Sequence, residues 1–242
     1  MLTQYRLTLQ ANHPGRSSWA YPLYASLLRR VPNGIAQSWH QNGWTPLSQH
    51  LTAEGTTCHW TINLLNNESE AALSDLLAQT DTFSLHRNTV LSVQARQRTV
   101  FSGIEAFWAE SSDGSDRHRL TFCTPTAFKS QGSYRNFPTI RFLLQSLIRS
   151  WNLCGFPCIP ETFLDVLSEG LLLRHFTRTD RSFPLKGHRI PGFVGAWDLE
   201  NGLSGEARQL LNALLYFSQF SGLGIKTTLG MGGVEHAFLS PA

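Results

Sequence analysis

The sequence predicts an α+β fold of two tandem ferredoxin-like (RRM-like) domains, each with the element order βαββαβ. The chain has 242 residues, which suits one large domain or two small ones. Strand and helix patterns follow one another in the same order in both halves, and this order matches the ferredoxin-like unit. A polar turn cluster at residues 111–116 separates the halves. We therefore expect one domain at residues 1–116 and a second at residues 117–242.

The elements of the first half are predicted from side-chain periodicity. Apolar residues that alternate with polar ones indicate a half-buried strand, and apolar residues three and four positions apart indicate a helix. The stretch from His40 to His50 is predicted to be a loop, with a strand edge as the alternative at His50. The predicted elements are a strand at residues 5–9, helices at 19–30 and 35–40, a strand at 57–65, a helix at 68–79 capped by Asn66 or Asn67, and strand material from 85 to 107 that includes IEAFW.

The second half repeats this order without sharing an obvious residue pattern with the first. The same two periodicities are used to place its elements. They are strands at residues 119–124, 171–179, 192–199 and 233–239, a long amphipathic helix at 137–151, and a helix at 204–220 capped by Ser204.

The charge distribution indicates an anionic partner for the second half. Hydrophobic residues make up 41% of the chain and charged residues only 15%, so the chain is globular rather than disordered. The net charge is +3, and the basic excess falls in the C-terminal half. Such an excess suits a nucleic acid, although a solvated face that lacks acids fits the charge equally well. No acid occurs between Asp116 and Glu161, a segment that holds Arg117, Arg119, Lys129, Arg135, Arg141 and Arg149.

No membrane span, disulfide framework or cofactor is expected. The chain lacks a run of the ~18 apolar residues that a span needs, and its N-terminus lacks the apolar core of a signal peptide, so we expect a cytoplasmic protein. Four cysteines are too few and too scattered for a disulfide scaffold. Cys154 and Cys158 have a CxxxC spacing, but no second Cys or His pair follows, so no zinc is expected.

A glycine-rich loop at residues 222–233 is the sharpest motif in the chain. Five glycines flank one lysine and two threonines, in a spacing that fits neither a phosphate loop nor a GxGxxG motif. Glycines allow backbone N–H groups to approach phosphate, and the polar side chains add donors. The alternative is a hairpin whose glycines serve only turn geometry. The predicted RNA-binding residues of this loop are Gly222, Gly224, Lys226, Thr227, Thr228, Gly230 and Gly232.

Three segments carry a resemblance to a known family. A GxGxxxxxGxG loop before the terminal strand resembles the signature of the CRISPR repeat-processing endoribonucleases, which belong to the RAMP superfamily. Residues 122–128 (FCTPTAF) resemble the family's S/T-P-T-x-F segment, and residues 192–195 (GFVG) resemble its G-F-x-G strand. The resemblance implies metal-independent cleavage within repeat RNA, products with 2′,3′-cyclic phosphate and 5′-hydroxyl ends, and retention of the product in an effector complex.

His40 is the first candidate for the catalytic residue. Metal-free RNA cleavage requires proton transfers that histidine performs near neutral pH. Residues 35–48 resemble the family's L-A-x-x-L-H…K-P-F-T-x-S segment, whose histidine is catalytic. The family's Lys-Pro-Phe is Thr45-Pro46-Leu47 here, so a lysine that would neutralise the scissile phosphate is missing. The residues predicted to replace it are Arg29, Arg30 or Lys226.

Further candidates surround this segment. His50 is the second choice for catalysis, and His13 is the third, with a His13–His40 pair dividing the acid and base roles. Tyr24, one turn after Tyr21, is a candidate hydroxyl that core packing would equally explain. Stacking of unpaired bases is predicted for Trp39 and Trp44, which bracket His40.

Basic residues of the second half complete the predicted RNA site, and the expected partner is CRISPR repeat RNA, in precursor and mature form. Other effector-complex subunits and a second copy of the chain remain open as partners, and no membrane partner is expected. The competing functions are a catalytically inactive RNA-binding subunit of the same family and a general tandem RRM-like protein, whose sequence signature is missing. The predicted contacts are Lys129, Arg135, Arg141, Arg174, Arg178, Lys186 and Arg189.

Overall fold

The computed structural model describes residues 1–86, 88–111 and 115–240. In its first half, helices connect strands that lie side by side in one antiparallel sheet. The elements are β1 (Leu2–Ala11), a 3-10 turn (Ser17–Trp19), α1 (Ala20–Leu28), α2 (Asn33–Gln41), β2 (Leu47–Glu54), β3 (Thr57–Leu64), α3 (Asn67–Gln79), β4 (Thr82–Ser84), β5 (Val90–Phe101) and α4 (Ile104–Ser111).

The second half contains a second antiparallel sheet and a short separate hairpin. Its elements are β6 (Arg117–Thr126), the hairpin strands β7 (Phe128–Ser130) and β8 (Ser133–Arg135), α5 (Ile140–Leu153), α6 (Phe163–Gly170), β9 (Leu171–Leu185), β10 (His188–Asn201), α7 (Gly205–Ser221), a 3-10 turn (Thr227–Leu229) and β11 (Val234–Phe238).

Both sheets have the strand order of a ferredoxin-like unit. The first sheet has the order β2-β3-β1-β5, with β4 added at its edge, and the second has the order β11-β6-β10-β9. In each, the first and third strands of the unit lie in the centre, as the βαββαβ connection requires. The predicted fold class is therefore confirmed.

Two predicted elements differ from the structure. The segment predicted as a loop contains the start of strand β2, and IEAFW, predicted as strand, forms helix α4. The β-propensity of Ile, Phe and Trp misled that prediction, because the side chains that turn inward, Ile104, Phe107, Trp108 and Ser111, have helical spacing. Ser204 occupies the predicted cap position of α7, but its side chain accepts no capping hydrogen bond. Asn66 does cap α3, accepting from the Ser69 N–H at 2.9 Å.

The two halves share their hydrophobic cores. One buried cluster combines Leu2, Phe101 and Phe107 of the first half with the helices of the second, and the other combines the first sheet with Phe183 and Met231. The predicted division at residues 116 and 117 stays a prediction, and residues 112–114 of its turn cluster lie outside the described residues. Among the described residues, no helix is long and apolar enough to span a bilayer.

Candidate nucleic-acid interface

A groove runs between the loop that follows α2 and the outer face of α5. Asn42 and Trp44 belong to one wall, and Gln145 and Arg149 belong to the other. The groove consists of two adjoining clefts of about 560 Å³ and about 460 Å³. Trp44, Gln145 and Arg149 line both clefts, which therefore form one continuous surface.

The sequence of α5 dictates which residues form its wall. Arg141, Gln145 and Arg149 are spaced by four residues, so they project from one helix face in successive turns. The opposite face, which includes Leu144 and Leu147, is buried in the core. Gln145 was not among the predicted contacts, although its position between two arginines at helical spacing is a signal that points to it.

The 460 Å³ cleft suits a phosphate backbone. Its lining includes Lys129, Arg149, Lys226 and Thr227, and no acidic residue among those described. Within the described part of the chain these three cations form no ion pair. Unpaired cations grouped on one surface attract phosphate groups. The cleft thus unites predicted contacts of two segments, Lys129 and the glycine-rich loop, with Arg149 of α5.

Three of the four loop glycines predicted to bind RNA are buried, whereas Gly224 lines the 460 Å³ cleft. The buried three are Gly222, Gly230 and Gly232. A Cβ on Gly224 would lie 2.1 Å from the Ala127 carbonyl oxygen, and all four glycines have positive φ. The N–H groups of three of them also have partners: Gly222 donates to the Ser218 carbonyl at 2.9 Å, Gly224 to Ser146 Oγ at 2.8 Å and Gly232 to the Pro125 carbonyl at 3.1 Å.

The polar residues of the same loop remain accessible. Lys226, Thr227 and Thr228 are partly exposed, and Lys226 has a left-handed backbone with φ of 57°. The Lys226 carbonyl accepts hydrogen bonds from the N–H groups of Leu229 and Met231, which fixes the turn. Lys226 and Thr227 line the groove, whereas the Thr228 carbonyl accepts from Gln49 Nε2 at 3.0 Å.

His40 lies in the last turn of α2 and is exposed, two residues before Asn42 of the groove wall. The preceding residue, Trp39, is 3% exposed, and its Nε1 donates to Glu68 Oε2 at 2.7 Å. This contact ties the end of α2 to α3. Because Trp39 is buried, the prediction that it stacks on RNA bases is wrong.

His50 lies in strand β2 and is only 5% exposed. It packs against Gly233 so closely that a Cβ there would lie 2.3 Å from His50 Cγ. Burial, followed by the charge of Arg6, lowers the pKa of His50 to about 4. A side chain in this position contacts no substrate, so we remove His50 from the catalytic candidates.

The predicted pairing of His13 with His40 is wrong. Strands β1 and β2 both run antiparallel to β3, so they are parallel to each other. His13 follows the end of β1, whereas His40 precedes the start of β2, so about 25 Å of strand separates them. His13 instead lies 2.9 Å from Thr89 Oγ1 through its Nε2.

Tyr24 and Arg29 of the first helix lie away from the groove lining. Tyr24 is 8% exposed, and burial raises the pKa of its hydroxyl, while a hydrogen bond with the Thr45 side chain opposes the rise. Thr45 is the residue that stands in place of the family's lysine. Arg29 is exposed, but about 10 Å of helix rise in α2 separates it from His40. Among the predicted replacements for the lysine, Lys226 is the one that lines the groove.

Several predicted RNA contacts carry charges that acids neutralise. Arg141 pairs with Asp165, Arg174 with Glu200, and Arg178 with Asp180. Arg141 belongs to the sequence segment without acids, yet in the structure it pairs with an acid from outside that segment.

Arg135 ends β8 and is exposed. Lys186 and Arg189 line a separate cleft of about 290 Å³ at the tip of the β9–β10 hairpin, where Lys186 Nζ lies 5.1 Å from the Tyr21 ring centre. In the described ranges, no group of three or more His, Cys, Asp or Glu side chains is placed to hold a metal ion.

The chain matches known proteins over nearly its whole length. A family model described as CRISPR-associated endoribonuclease Cas6 matches residues 120–234. A protein of that name from Streptococcus thermophilus is 29% identical over 93% of this chain and 93% of its own length. A protein of that name from Mycobacterium tuberculosis is 28% identical over 99% of this chain and 80% of its own length.

Solved structures of proteins with this name share the fold. A Cas6 product complex has a TM-score of 0.80 at 22% identity, covering 98% of this chain and 99% of that one. Cas6 from Thermus thermophilus has a TM-score of 0.71 at 22% identity, covering 98% of both chains. The family model, the curated relatives and the fold agree, and the chain is similar in sequence and in fold to the CRISPR-associated endoribonucleases named Cas6.

Proposed function

We propose that this protein is an endoribonuclease that binds CRISPR repeat RNA and cleaves the precursor transcript within its repeats to give mature guide RNAs. The observation that carries this proposal is the groove, where Lys129, Arg149 and Lys226, which pair with no acid in the described ranges, lie beside the loop that follows His40. Relatives named CRISPR-associated endoribonuclease Cas6 align with nearly the whole chain, and one solved relative is a product complex.

The proposed reaction is a metal-independent transesterification. The ribose 2′-oxygen attacks the adjacent phosphorus while a base removes the 2′-hydroxyl proton. The bond from phosphorus to the 5′-oxygen breaks, and an acid protonates that oxygen. The products are a 2′,3′-cyclic phosphate and a 5′-hydroxyl. His40 performs one of the two proton transfers, because imidazole gives and accepts protons near neutral pH.

In this proposal the missing lysine is replaced by cations of the second half. Negative charge increases on the phosphate oxygens in the transition state, and nearby cations stabilise it. Lys226 and Arg149 lie on the groove surface that also includes Trp44, four residues after His40. Residues 1–116 then carry the catalytic histidine, and residues 117–242 carry most of the RNA grip. We place the protein in the cytoplasm, where its transcript substrate is made, and its partners include other effector-complex subunits.

The test is cleavage of the repeat RNA of the source organism in EDTA. Wild-type protein should produce fragments with cyclic phosphate ends, and His40→Ala should lower the rate by about 100-fold or more while gel-shift affinity is retained. His86→Ala serves as the matched control, because His86 is exposed at the opposite edge of the first sheet. Unchanged cleavage by His40→Ala would remove His40 from the mechanism.

A second candidate function is an RNA-binding subunit that does not cleave. Thr45 in place of the family's lysine favours it, because the α2–β2 loop, residues 42–46, contains no lysine or arginine. Tight and salt-dependent RNA binding by the wild type without any product would identify this function.

A further inference from the structure

The two clefts of the groove share Trp44, Gln145, Arg149 and Leu153, and the rest of their linings differ in chemistry. The Lys226 half, which is the 460 Å³ cleft already described, is lined by cations without a described acid. The other half, which we call the Glu161 half, has amide side chains, apolar side chains and one carboxylate in its lining. Two arginines also line it. The charge of Arg141 is balanced by Asp165, whereas Arg149, which pairs with no described acid, lies where this half meets the Lys226 half.

The Glu161 half is less suited to phosphate than the Lys226 half, and it is well suited to a nucleobase. Its carboxylate repels phosphate and can only accept hydrogen bonds, whereas the Gln145 amide both donates and accepts. Ile148 and Leu164 add an apolar surface, and the cleft volume is about 560 Å³. Base recognition in single-stranded RNA combines aromatic stacking with hydrogen bonds to the base edge.

The segment that carries Glu161 is fixed to α5. Asn152 Nδ2 donates to the Ile159 carbonyl at 2.9 Å, and Asn152 Oδ1 accepts from the Ile159 N–H at 2.9 Å. This two-way bond holds the chain two residues before Glu161. The Glu161 and Gln145 side chains form no hydrogen bond or ion pair with the described residues, so their polar groups are available to a ligand.

We propose that the Glu161 half is a subsite for one unpaired nucleobase of the bound RNA, which stacks on Trp44 and presents its hydrogen-bonding edge to Glu161 and Gln145. This inference rests on the proposed function and adds a specificity element to it. Guanine fits best, because its N1–H and amino group offer two adjacent donors to the two carboxylate oxygens. The RNA backbone then passes from this base into the Lys226 half.

A binding cycle tests the stacking contact. Repeat RNA with a 2′-deoxy sugar at the cleavage site prevents turnover, and single abasic sites replace each nucleotide near that site in turn. At one position, removal of the base should weaken wild-type binding about 5- to 100-fold, and Trp44→Ala should cause a similar loss with intact RNA. Trp44→Ala and the abasic site combined should weaken binding by no more than either change alone. Trp44→Phe should keep most of the affinity.

The subsite is overturned if Trp44→Ala binds intact RNA as tightly as the wild type does. It is also overturned if Trp44→Ala lowers the affinity for every abasic RNA by the same factor as for intact RNA. Base selectivity is a second measurement, in which Glu161→Gln should lower the preference for guanine over adenine at the coupled position about 5- to 100-fold. A wild type without any base preference there also contradicts the proposal. Cleavage of unmodified RNA by the wild type is scored separately, so failure of the enzymatic function is distinguished from failure of the subsite.

Discussion

Lys226 is the residue of the glycine loop whose charge we expect to contribute most to RNA binding. It lines the groove and is paired with no described acid. A lysine that neutralises one phosphate releases about one counterion, so Lys226→Ala should weaken binding and reduce the salt slope by about 1. Lys226→Arg, which keeps the charge, is the control. The measurement is affinity at several salt concentrations, and an unchanged slope in Lys226→Ala would exclude the contact.

The same loop shows how far the sequence determines the site at the residue level. Its motif led to Lys226 and Thr227, which do line the groove. It also led to Gly224 and Gly232 as phosphate contacts, yet their N–H groups bond to Ser146 and Pro125. Those partners lie far away in the chain, and no local pattern reveals that they come close. Spacing alone therefore identified the loop, but it did not reveal that the N–H groups of Gly224 and Gly232 already have partners within the protein.

Strand β11 is held to β6 and α7 by a chain of buried polar side chains. His118 is 0% exposed, and its Nε2 donates to Asn212 Oδ1 at 3.0 Å, because that oxygen can only accept. His118 Nδ1 then accepts from His236 Nε2 at 2.9 Å. Burial lowers the pKa of His118 to about 4 and that of His236 to about 3. The charge of Asp116 raises the pKa of His118, whereas the charge of Arg208 lowers it.

These lowered pKa values predict acid destabilisation of the fold. Between about pH 6.5 and pH 4 the unfolded state binds protons that the folded state excludes, so stability falls as pH falls through this range. The loss from His118 alone is on the order of 3 kcal/mol, given its pKa of about 4. Urea unfolding at a series of pH values measures it. His236→Gln should make the fall of stability with falling pH shallower. The fall should not disappear, because burial also lowers the pKa of His50, which destabilises the fold in acid in the same way. An equally steep curve in that variant would contradict this account.

Element prediction succeeded where one periodicity was clear and failed where a segment was short or unusual. Helices α3, α5 and α7 were predicted because their apolar faces repeat at helical spacing. Strand β2 was missed because its buried residues include Gln49 and His50, which are polar and project from opposite faces of the strand. Gln49 illustrates the reason: it accepts from Trp60 Nε1 at 2.8 Å and donates to Ala20 and Thr228 carbonyls. Such burial depends on tertiary partners that a strand pattern does not include.

At the scale of the whole molecule, buried polar contacts join the two halves. Asn63 is 1% exposed, and its Nδ2 donates to the Gln219 carbonyl at 3.2 Å and to Ser48 Oγ at 2.8 Å. Ser48 Oγ in turn donates to the Phe220 carbonyl at 2.5 Å. Both carbonyls belong to the last turn of α7, so the first sheet satisfies backbone groups of the second half. Together with the shared hydrophobic clusters, this makes the groove a product of both halves.

We therefore expect the halves to unfold as one cooperative unit. Asn63→Ala should lower the free energy of unfolding by about 1–3 kcal/mol, because it leaves buried partners without hydrogen bonds. Hydrogen exchange measured by mass spectrometry should show equal losses of protection for peptides from β3 and from β6, since a shared core transmits the change to both. Asn67→Ala is the control, because Asn67 is exposed at the start of α3. Its replacement should lower neither the free energy of unfolding nor the protection of the β3 and β6 peptides. A loss confined to β3 peptides would mean that the halves open independently, and the groove would then be set by RNA rather than by the folded chain.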